Sequence, residues 1–199
     1  MLKTYTGTTD RLKDEEIYEK ALKDICVFRR EKIDKLKCKE DKLRSLAVEG
    51  LLMDALRECN VPYDGEFEVD ERGKPMLKNC PGVYYNLSHS GNRVMCVVSD
   101  KSVGCDVEKI GRVKEKTAGR ICSPEEIKQL ESIDGQEAKQ LYLCKIWTRK
   151  ESFVKNIGEG ISWPLNTQSC LEYMIYNGCR YYFDTKDDGE YCYSICYIG

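Results

Sequence analysis

Two short segments hold residues whose types and spacing suit metal-assisted phosphoryl chemistry. In Val103-Gly104-Cys105-Asp106-Val107-Glu108, apolar Val103, Cys105 and Val107 alternate with Asp106 and Glu108, so a strand would put both carboxylates on one face. In Trp147-Thr148-Arg149-Lys150-Glu151-Ser152-Phe153-Val154-Lys155, a helix would put Glu151 and Lys155 one turn apart on one face. Neighbouring carboxylates on a strand repel unless solvent or a cation compensates. Hard oxygen ligands on few residues, with water and substrate phosphates completing the shell, suit Mg²⁺ rather than Zn²⁺. Taken singly, each segment is ordinary: a solvated edge strand, and a surface ion pair worth ~0.3–0.5 kcal/mol. Together, three carboxylates and a lysine can converge on a divalent cation and a phosphate.

The elements that must position them follow from periodicity. Residues 14–30 carry Ile17, Leu22, Ile25 and Phe28 at helical spacing, and 40–59 repeat the pattern with Leu43, Leu46, Leu52 and Leu56 before Asn60-Val61-Pro62 ends it. Residues 29–44 hold eight Lys or Arg against four Asp or Glu, either a solvated helix surface or an anion cradle. Strands are expected at Glu66–Asp70, Val83–Ser88, Val94–Ser99 and Val103–Glu108, with His89-Ser90-Gly91-Asn92 as a hairpin turn. Ser123-Pro124-Glu125-Glu126 predicts a helix start with a capping box. A long helix is expected over 136–157, closed by Gly158. Strands at 170–176, 180–183 and 191–198 follow, the first two joined by an Asn177-Gly178 turn. Helices followed by strands, twice over, predict two α+β halves with small, mostly antiparallel sheets and a hinge near residues 100–104.

Composition bounds the partners. The chain has 199 residues, 41% hydrophobic and 33% charged, with a net charge of −2, which gives no global attraction to nucleic acid or membrane. No apolar run approaches the ~20 residues of a membrane span. The start Met1-Leu2-Lys3-Thr4-Tyr5 lacks a signal-peptide core, so the expected location is the cytoplasm. Twelve cysteines include no Cys-x-x-Cys pair, and His89, the only histidine, has no cysteine at metal-motif spacing. Cys26, Cys96, Cys105, Cys144, Cys192 and Cys196 read as small core residues of a reduced protein.

Gly73-Lys74-Pro75, Tyr85-Asn86-Leu87-Ser88-His89-Ser90 and the two opening segments, in that order, resemble the motif series of the Sfp-type 4′-phosphopantetheinyl transferases. Weaker similarity runs from Glu31 to Gly50, where Lys39-Glu40-Asp41 precedes Arg44-Ser45. The resemblance implies a pseudo-twofold α+β fold acting as a monomer, with an N-terminal half (1–102) for the coenzyme A nucleotide and a C-terminal half (103–199) for metal and catalysis. It implies Mg²⁺-dependent transfer of 4′-phosphopantetheine from coenzyme A, bound between the halves, to a serine of an apo carrier protein, with release of 3′,5′-ADP.

By position, Asp106, Glu108 and Glu151 resemble the Mg²⁺ ligands, and Lys155 the lysine beside the pyrophosphate. His89 resembles the contact to the ribose 3′-phosphate. Gly73, Lys74, Pro75, Asn86 and Ser88 resemble the segments around the adenine nucleotide, with Lys39 and Arg44 as further phosphate contacts. Glu151 is the candidate base for the serine proton, directly or through a metal-bound water. Cys105 stands where the family usually has an aliphatic residue. The segment from Ile110 to Ser123, which in the family helps contact the carrier, shows little similarity. A coenzyme A or carrier-binding module without catalysis is the alternative, and the intact Asp106, Glu108, Glu151 and Lys155 speak against it.

Overall fold

In each of two units of this protein one long helix lies across an antiparallel sheet. The computed structural model describes residues 1–71, 74–160 and 163–199, and the units are Met1–Asp100 and Lys101–Gly199. The first unit runs β1 (Leu2–Thr8), α1 (Glu15–Asp24), α2 (Val27–Asp34), α3 (Lys39–Glu58), the short hairpin β2 (Phe67–Val69) and β3 (Pro75–Leu77), then β4 (Tyr84–Ser90) and β5 (Arg93–Ser99). Antiparallel pairing gives the order β1-β5-β4. The register sets Tyr5 and Leu87 on either side of Cys96, and Tyr85 against Val98. Helix α3 covers that face with Leu52, Ala55 and Leu56, each such burial being worth about 1.5–3 kcal/mol for a large aliphatic chain.

Three expectations change here. The helix foreseen over 14–30 is two helices, because Ile25 is extended (φ −84, ψ 158) and buries its side chain with Ile33 and Leu46. Arg30 makes the break stable by donating to the Leu22, Lys23 and Ile25 carbonyls at 3.0, 2.9 and 3.3 Å, which supplies partners the helix end lacks. Strand β1 had no period-two apolar signal of its own, and pairing with β5 makes it. The hairpin turn shrinks to Gly91-Asn92 between paired Ser90 and Arg93, with Gly91 at φ 56. His89 therefore belongs to strand β4, not to the turn.

The second unit runs β6 (Val103–Lys109), α4 (Ala118–Ile121), α5 (Pro124–Glu131), α6 (Gln136–Ile157), β7 (Tyr173–Tyr176), β8 (Cys179–Asp187) and β9 (Tyr191–Ile198). Its sheet has the antiparallel order β6-β9-β8-β7. As in the first unit, the opening strand lies at the sheet edge and pairs with the closing strand. The expected turn Asn177-Gly178 has both residues at positive φ, 49° and 77°, which asparagine and glycine tolerate best. Phe153 anchors α6 in the core through edge-on contacts with Trp163, Tyr176 and Tyr181 at 5.8, 6.5 and 5.2 Å.

Two features decide how α6 sits. A Cβ on Gly104 would stand 2.0 Å from the Ser152 carbonyl oxygen and 2.7 Å from the Asn156 nitrogen, so only glycine lets helix and strand meet there. Lys150 is fully buried. Its ammonium donates to the Ile121, Leu165 and Gln168 carbonyls at 2.8 Å each and pairs with Glu126. Glu126 also closes the expected capping box with Ser123 and accepts from the Cys170 N–H at 2.6 Å. Cys96, Cys105, Cys144, Cys192 and Cys196 are buried thiols, Cys26 is half-buried, and all twelve cysteines are thiols rather than disulfides. Among the described residues, no helix is long and apolar enough to cross a membrane.

Both tryptophans, Trp147 and Trp163, lie in the second unit, so their fluorescence reports its unfolding. Gly104→Ala is expected to lower the urea midpoint by that signal, at a cost of about 1–3 kcal/mol or more. Gly50→Ala, in α3 with open space around a new Cβ, should stabilise the first unit by about 0.5–1 kcal/mol, read by far-UV circular dichroism. Lys150→Met should cost roughly 3–5 kcal/mol by leaving the Glu126 charge buried. Adding Glu126→Gln to it should recover part of that loss in the same unfolding experiment.

Candidate active site

Helix α6 runs antiparallel to β6 across the strand face that carries Gly104, Asp106 and Glu108. The Cys144 thiol donates to the Glu108 carbonyl at 3.5 Å near one end of the contact. Near the other, the Asn156 amide donates to the Cys196 carbonyl at 2.9 Å and accepts from the Ser102 hydroxyl at 2.6 Å. Every residue of the Trp147–Lys155 segment has a place in this docking. Thr148 shares a hydrogen bond with Ser194 of β9 at 2.8 Å. Arg149 donates to Thr185 of β8 at 2.9 Å and to the Cys170 and Leu171 carbonyls. Trp147, Phe153 and Val154 join the core, and Ser152 meets Gly104. Only Glu151 and Lys155 are left to face the carboxylates of β6.

Their electrostatics are mutual. Lys155 Nζ donates to Asp106 Oδ1 at 2.7 Å, and Asp106 is only 5% exposed. Burial holds the Glu151 carboxyl above its ordinary pKa, reinforced by the negative charge of Asp106, opposed by Lys155 and aided further by Glu108. Burial by itself would lower the Lys155 ammonium, but Asp106, Cys105 and Glu151 together raise it. An ion pair confined to the helix between Glu151 and Lys155 was one sequence expectation; the lysine instead crosses to the strand. Arg112 adds a second cation by donating to Glu108 Oε2 at 3.1 Å.

Among the described residues, no group of three or more His, Cys, Asp or Glu side chains stands in a metal-holding arrangement. Asp106 and Glu108 have Lys155 and Arg112 as counter-ions instead. The donor chemistry nevertheless fits Mg²⁺: the acids are all carboxylates, and their repulsion, felt at Glu151, is of the kind a hard cation relieves. Beside Glu108 opens a cleft of about 690 Å³, with Trp147 and Trp163 in its wall and Arg112, Lys114 and Arg120 as its cations.

In the first unit, Arg44 donates to the Gly91 carbonyl at 3.3 Å and pairs with Asp41. That brings it to the end of the sheet where His89, exposed on β4, lies two residues before Gly91. Asn86 and Ser88 alternate to the opposite face of β4 from His89, and Ser88 is buried. Lys39 opens α3 and lines a separate cleft of about 190 Å³ with Lys13, Tyr18 and Lys42. Lys74 and Pro75 enter β3, where the Lys74 N–H donates to Asp70 Oδ1 at 2.8 Å. Gly73 lies outside the described residues.

Sequence reasoning passed over three residues that shape the cluster on β6 and α6: Gly104, Lys150 and Arg112. A glycine inside a strand pattern is itself a sign of close backbone approach. Nothing in the sequence marks Lys150 as buried, and Arg112 falls in the segment with little similarity.

Comparison with known proteins bears on the same elements. A family model described as the 4′-phosphopantetheinyl transferase superfamily matches residues 102–196. The 4′-phosphopantetheinyl transferase Sfp of Bacillus subtilis is 32% identical over 170 residues, which is 84% of this chain and 75% of that protein. The 4′-phosphopantetheinyl transferase gsp of Aneurinibacillus migulanus is 33% identical over 130 residues, 64% of this chain and 54% of its own. A crystal structure of Thermotoga maritima holo-[acyl-carrier-protein] synthase overlaps 49% of this chain and 62% of that one, at 20% identity and a TM-score of 0.38. The matched span contains β6 and α6 with Asp106, Glu108, Glu151 and Lys155, and Sfp is matched along most of its length: the chain belongs to the 4′-phosphopantetheinyl transferase superfamily.

Proposed function

We propose that the cluster on β6 and α6 is where this transferase works. The chain transfers 4′-phosphopantetheine from coenzyme A to a carrier protein. In the finer reading the acceptor is a serine hydroxyl, the reaction needs Mg²⁺ and the leaving group is 3′,5′-ADP. The observation that carries it is the meeting of Asp106, Glu151 and Lys155 from two elements, with Lys155 bonded to Asp106 at 2.7 Å and Glu151 perturbed by both. The first-unit residues Lys74, Pro75, Asn86, Ser88 and His89 are assigned to the coenzyme A nucleotide, with Lys39 and Arg44 as phosphate contacts.

The serine oxygen forms a bond to the β-phosphorus as the bond from that phosphorus to the 3′,5′-ADP oxygen breaks. Glu151 accepts the serine proton. Burial and the neighbouring carboxylates raise its proton affinity, which suits a base. Lys155 holds a permanent positive charge beside the pyrophosphate, where negative charge grows on the leaving oxygen. Asp106 keeps that ammonium protonated and fixed. Asp106, Glu108 and Glu151 would hold Mg²⁺, which when bound supplies further charge neutralisation at the pyrophosphate. The cationic cleft beside Glu108 lies in the segment expected to meet the carrier, and Arg112, Lys114 and Arg120 suit an acidic partner. Twelve cysteines held as thiols suit a reducing cytoplasm, and a monomer is what the family resemblance implies.

Incubation with coenzyme A, Mg²⁺ and a panel of apo carrier proteins, followed by weighing the carriers, tests the reading directly. A mass gain of one phosphopantetheine on at least one carrier is expected. No gain on any would leave a binding module without catalysis. Glu151→Gln should nearly abolish transfer and, in Mg²⁺-free buffer near neutral pH, raise the melting temperature. The sign follows from linkage: a carboxyl whose folded pKa is raised destabilises the fold when ionised, and Gln removes that charge. Wild-type turnover in this variant would remove Glu151 from the mechanism.

A further inference from the structure

Lys155 and Arg112 are counter-ions of Asp106 and Glu108, and they are built differently. Lys155 projects from α6 and is bonded at 2.7 Å to Asp106, itself buried. Arg112 projects from the turn that follows β6 and donates to Glu108 Oε2 at 3.1 Å. Its side chain is 63% exposed, against 16% for that of Glu108. The backbone of the turn is held in place. The Ile110 N–H donates to the Glu190 carbonyl at 2.8 Å and the Arg112 N–H to the Lys109 carbonyl at 3.1 Å. Gly111 takes the positive φ of 83° that the turn requires, and Lys114 Nζ donates to its carbonyl at 2.8 Å. Arg112 therefore has a stationary root and a guanidinium open to water. Ion pairs of that kind are weak and exchange readily, because solvent screens them and the side chains can part.

Glu108 is also one of the carboxylates assigned to Mg²⁺. A guanidinium on its Oε2 opposes a divalent cation there twice over: it occupies an oxygen, and it repels like charge. Arg112 also lines the cleft beside Glu108, with Lys114, Arg120, Trp147 and Trp163. A protein surface that carries carboxylates beside apolar side chains complements that lining. A carboxylate arriving on such a surface competes with Glu108 for the guanidinium. We propose that Arg112 is an exchange residue that couples carrier docking to metal binding. Without the carrier it pairs with Glu108 and keeps Mg²⁺ binding weak. A carboxylate of the docked carrier takes the guanidinium, and Glu108 is left to the metal. One ion pair replaces another, and no covalent bond changes. By reciprocity, Mg²⁺ tightens carrier binding by the same factor. The inference rests on the transferase reading above and adds to it a residue, Arg112, that none of the motifs contains.

The test titrates Mg²⁺ by calorimetry into the full chain saturated with coenzyme A, with coenzyme A alone as the blank. Arg112→Ala and Arg112→Gln should each tighten Mg²⁺ about fivefold, the most that one exposed ion pair withholds. Arg120→Ala removes another cation of the same cleft and leaves the Arg112–Glu108 pair in place, so its Mg²⁺ affinity should stay within about twofold of the wild type. An apo carrier that gains mass with the wild type, its acceptor serine changed to alanine, docks without reacting. In its presence wild-type protein should bind Mg²⁺ about fivefold more tightly, and the Arg112 variants should gain nothing further. Unchanged or weakened Mg²⁺ affinity in the Arg112 variants, or an equal gain in Arg120→Ala, overturns the exchange and leaves the transferase reading intact. So does a wild-type Mg²⁺ affinity indifferent to the carrier, or a carrier effect that survives in Arg112→Ala. Wild-type protein that binds no Mg²⁺ with coenzyme A present overturns the exchange and the metal reading together.

Discussion

A fully buried ion pair between Lys150 and Glu126 fixes the helix that carries two residues of the proposed site, Glu151 and Lys155. Burying each of these ions carries a desolvation penalty of several kcal/mol after relaxation. The pair persists because neither ion lacks a partner: three backbone carbonyls share the ammonium, while two backbone N–H groups and Lys150 share the carboxylate. Those partners come from the end of α4, the start of α5 and residues 165–170. Lys150 thus ties three separate pieces of chain to α6 at the position just before Glu151. With that rotation set, Glu151 and Lys155 have to face β6.

The cluster they form is unfavourable by itself. Asp106 and Glu108 add to the raised proton affinity of Glu151, and these like charges would separate if the backbone allowed it. Gly104 prevents this by letting α6 touch β6, and Thr148, Arg149 and Asn156 bond the helix to β8 and β9. The scaffold holds the acids together against their repulsion, with Lys155 and Arg112 as the opposing charges. A surface ion pair along a helix would not behave this way, because solvent would screen it and its side chains would be free to part.

The first unit reaches the same strand–helix–hairpin plan with a different buried device. Glu49 of α3 is fully buried and receives Arg29 from α2 and the Tyr63 hydroxyl. Its charge and burial push the Tyr63 hydroxyl well above its ordinary range, burial being the larger cause. Arg29 thereby pins α2 beside the β2–β3 hairpin, its guanidinium 5.5 Å from the Phe67 ring centre.

By itself, the sequence determined the secondary structure wherever periodicity and capping agree. Alternation marked β6, the Ser123 box marked α5, Gly158 marked the end of α6, and Asn177-Gly178 marked a hairpin. It also determined which acids and lysine could form a site, since a strand and a helix each have one rigid periodicity. Local pattern was silent wherever a distant partner decides the outcome. Strand β1 exists by pairing with β5, the helix over 14–30 breaks because Ile25 turns toward Ile33 and Leu46, and His89 sits in a strand because the turn closes later. Tertiary structure alone decided that Lys150 is an anchor while Lys155, five residues on, meets Asp106. The two lysines are the same chemistry at different angles around one helix, and only the surfaces that helix packs against tell them apart.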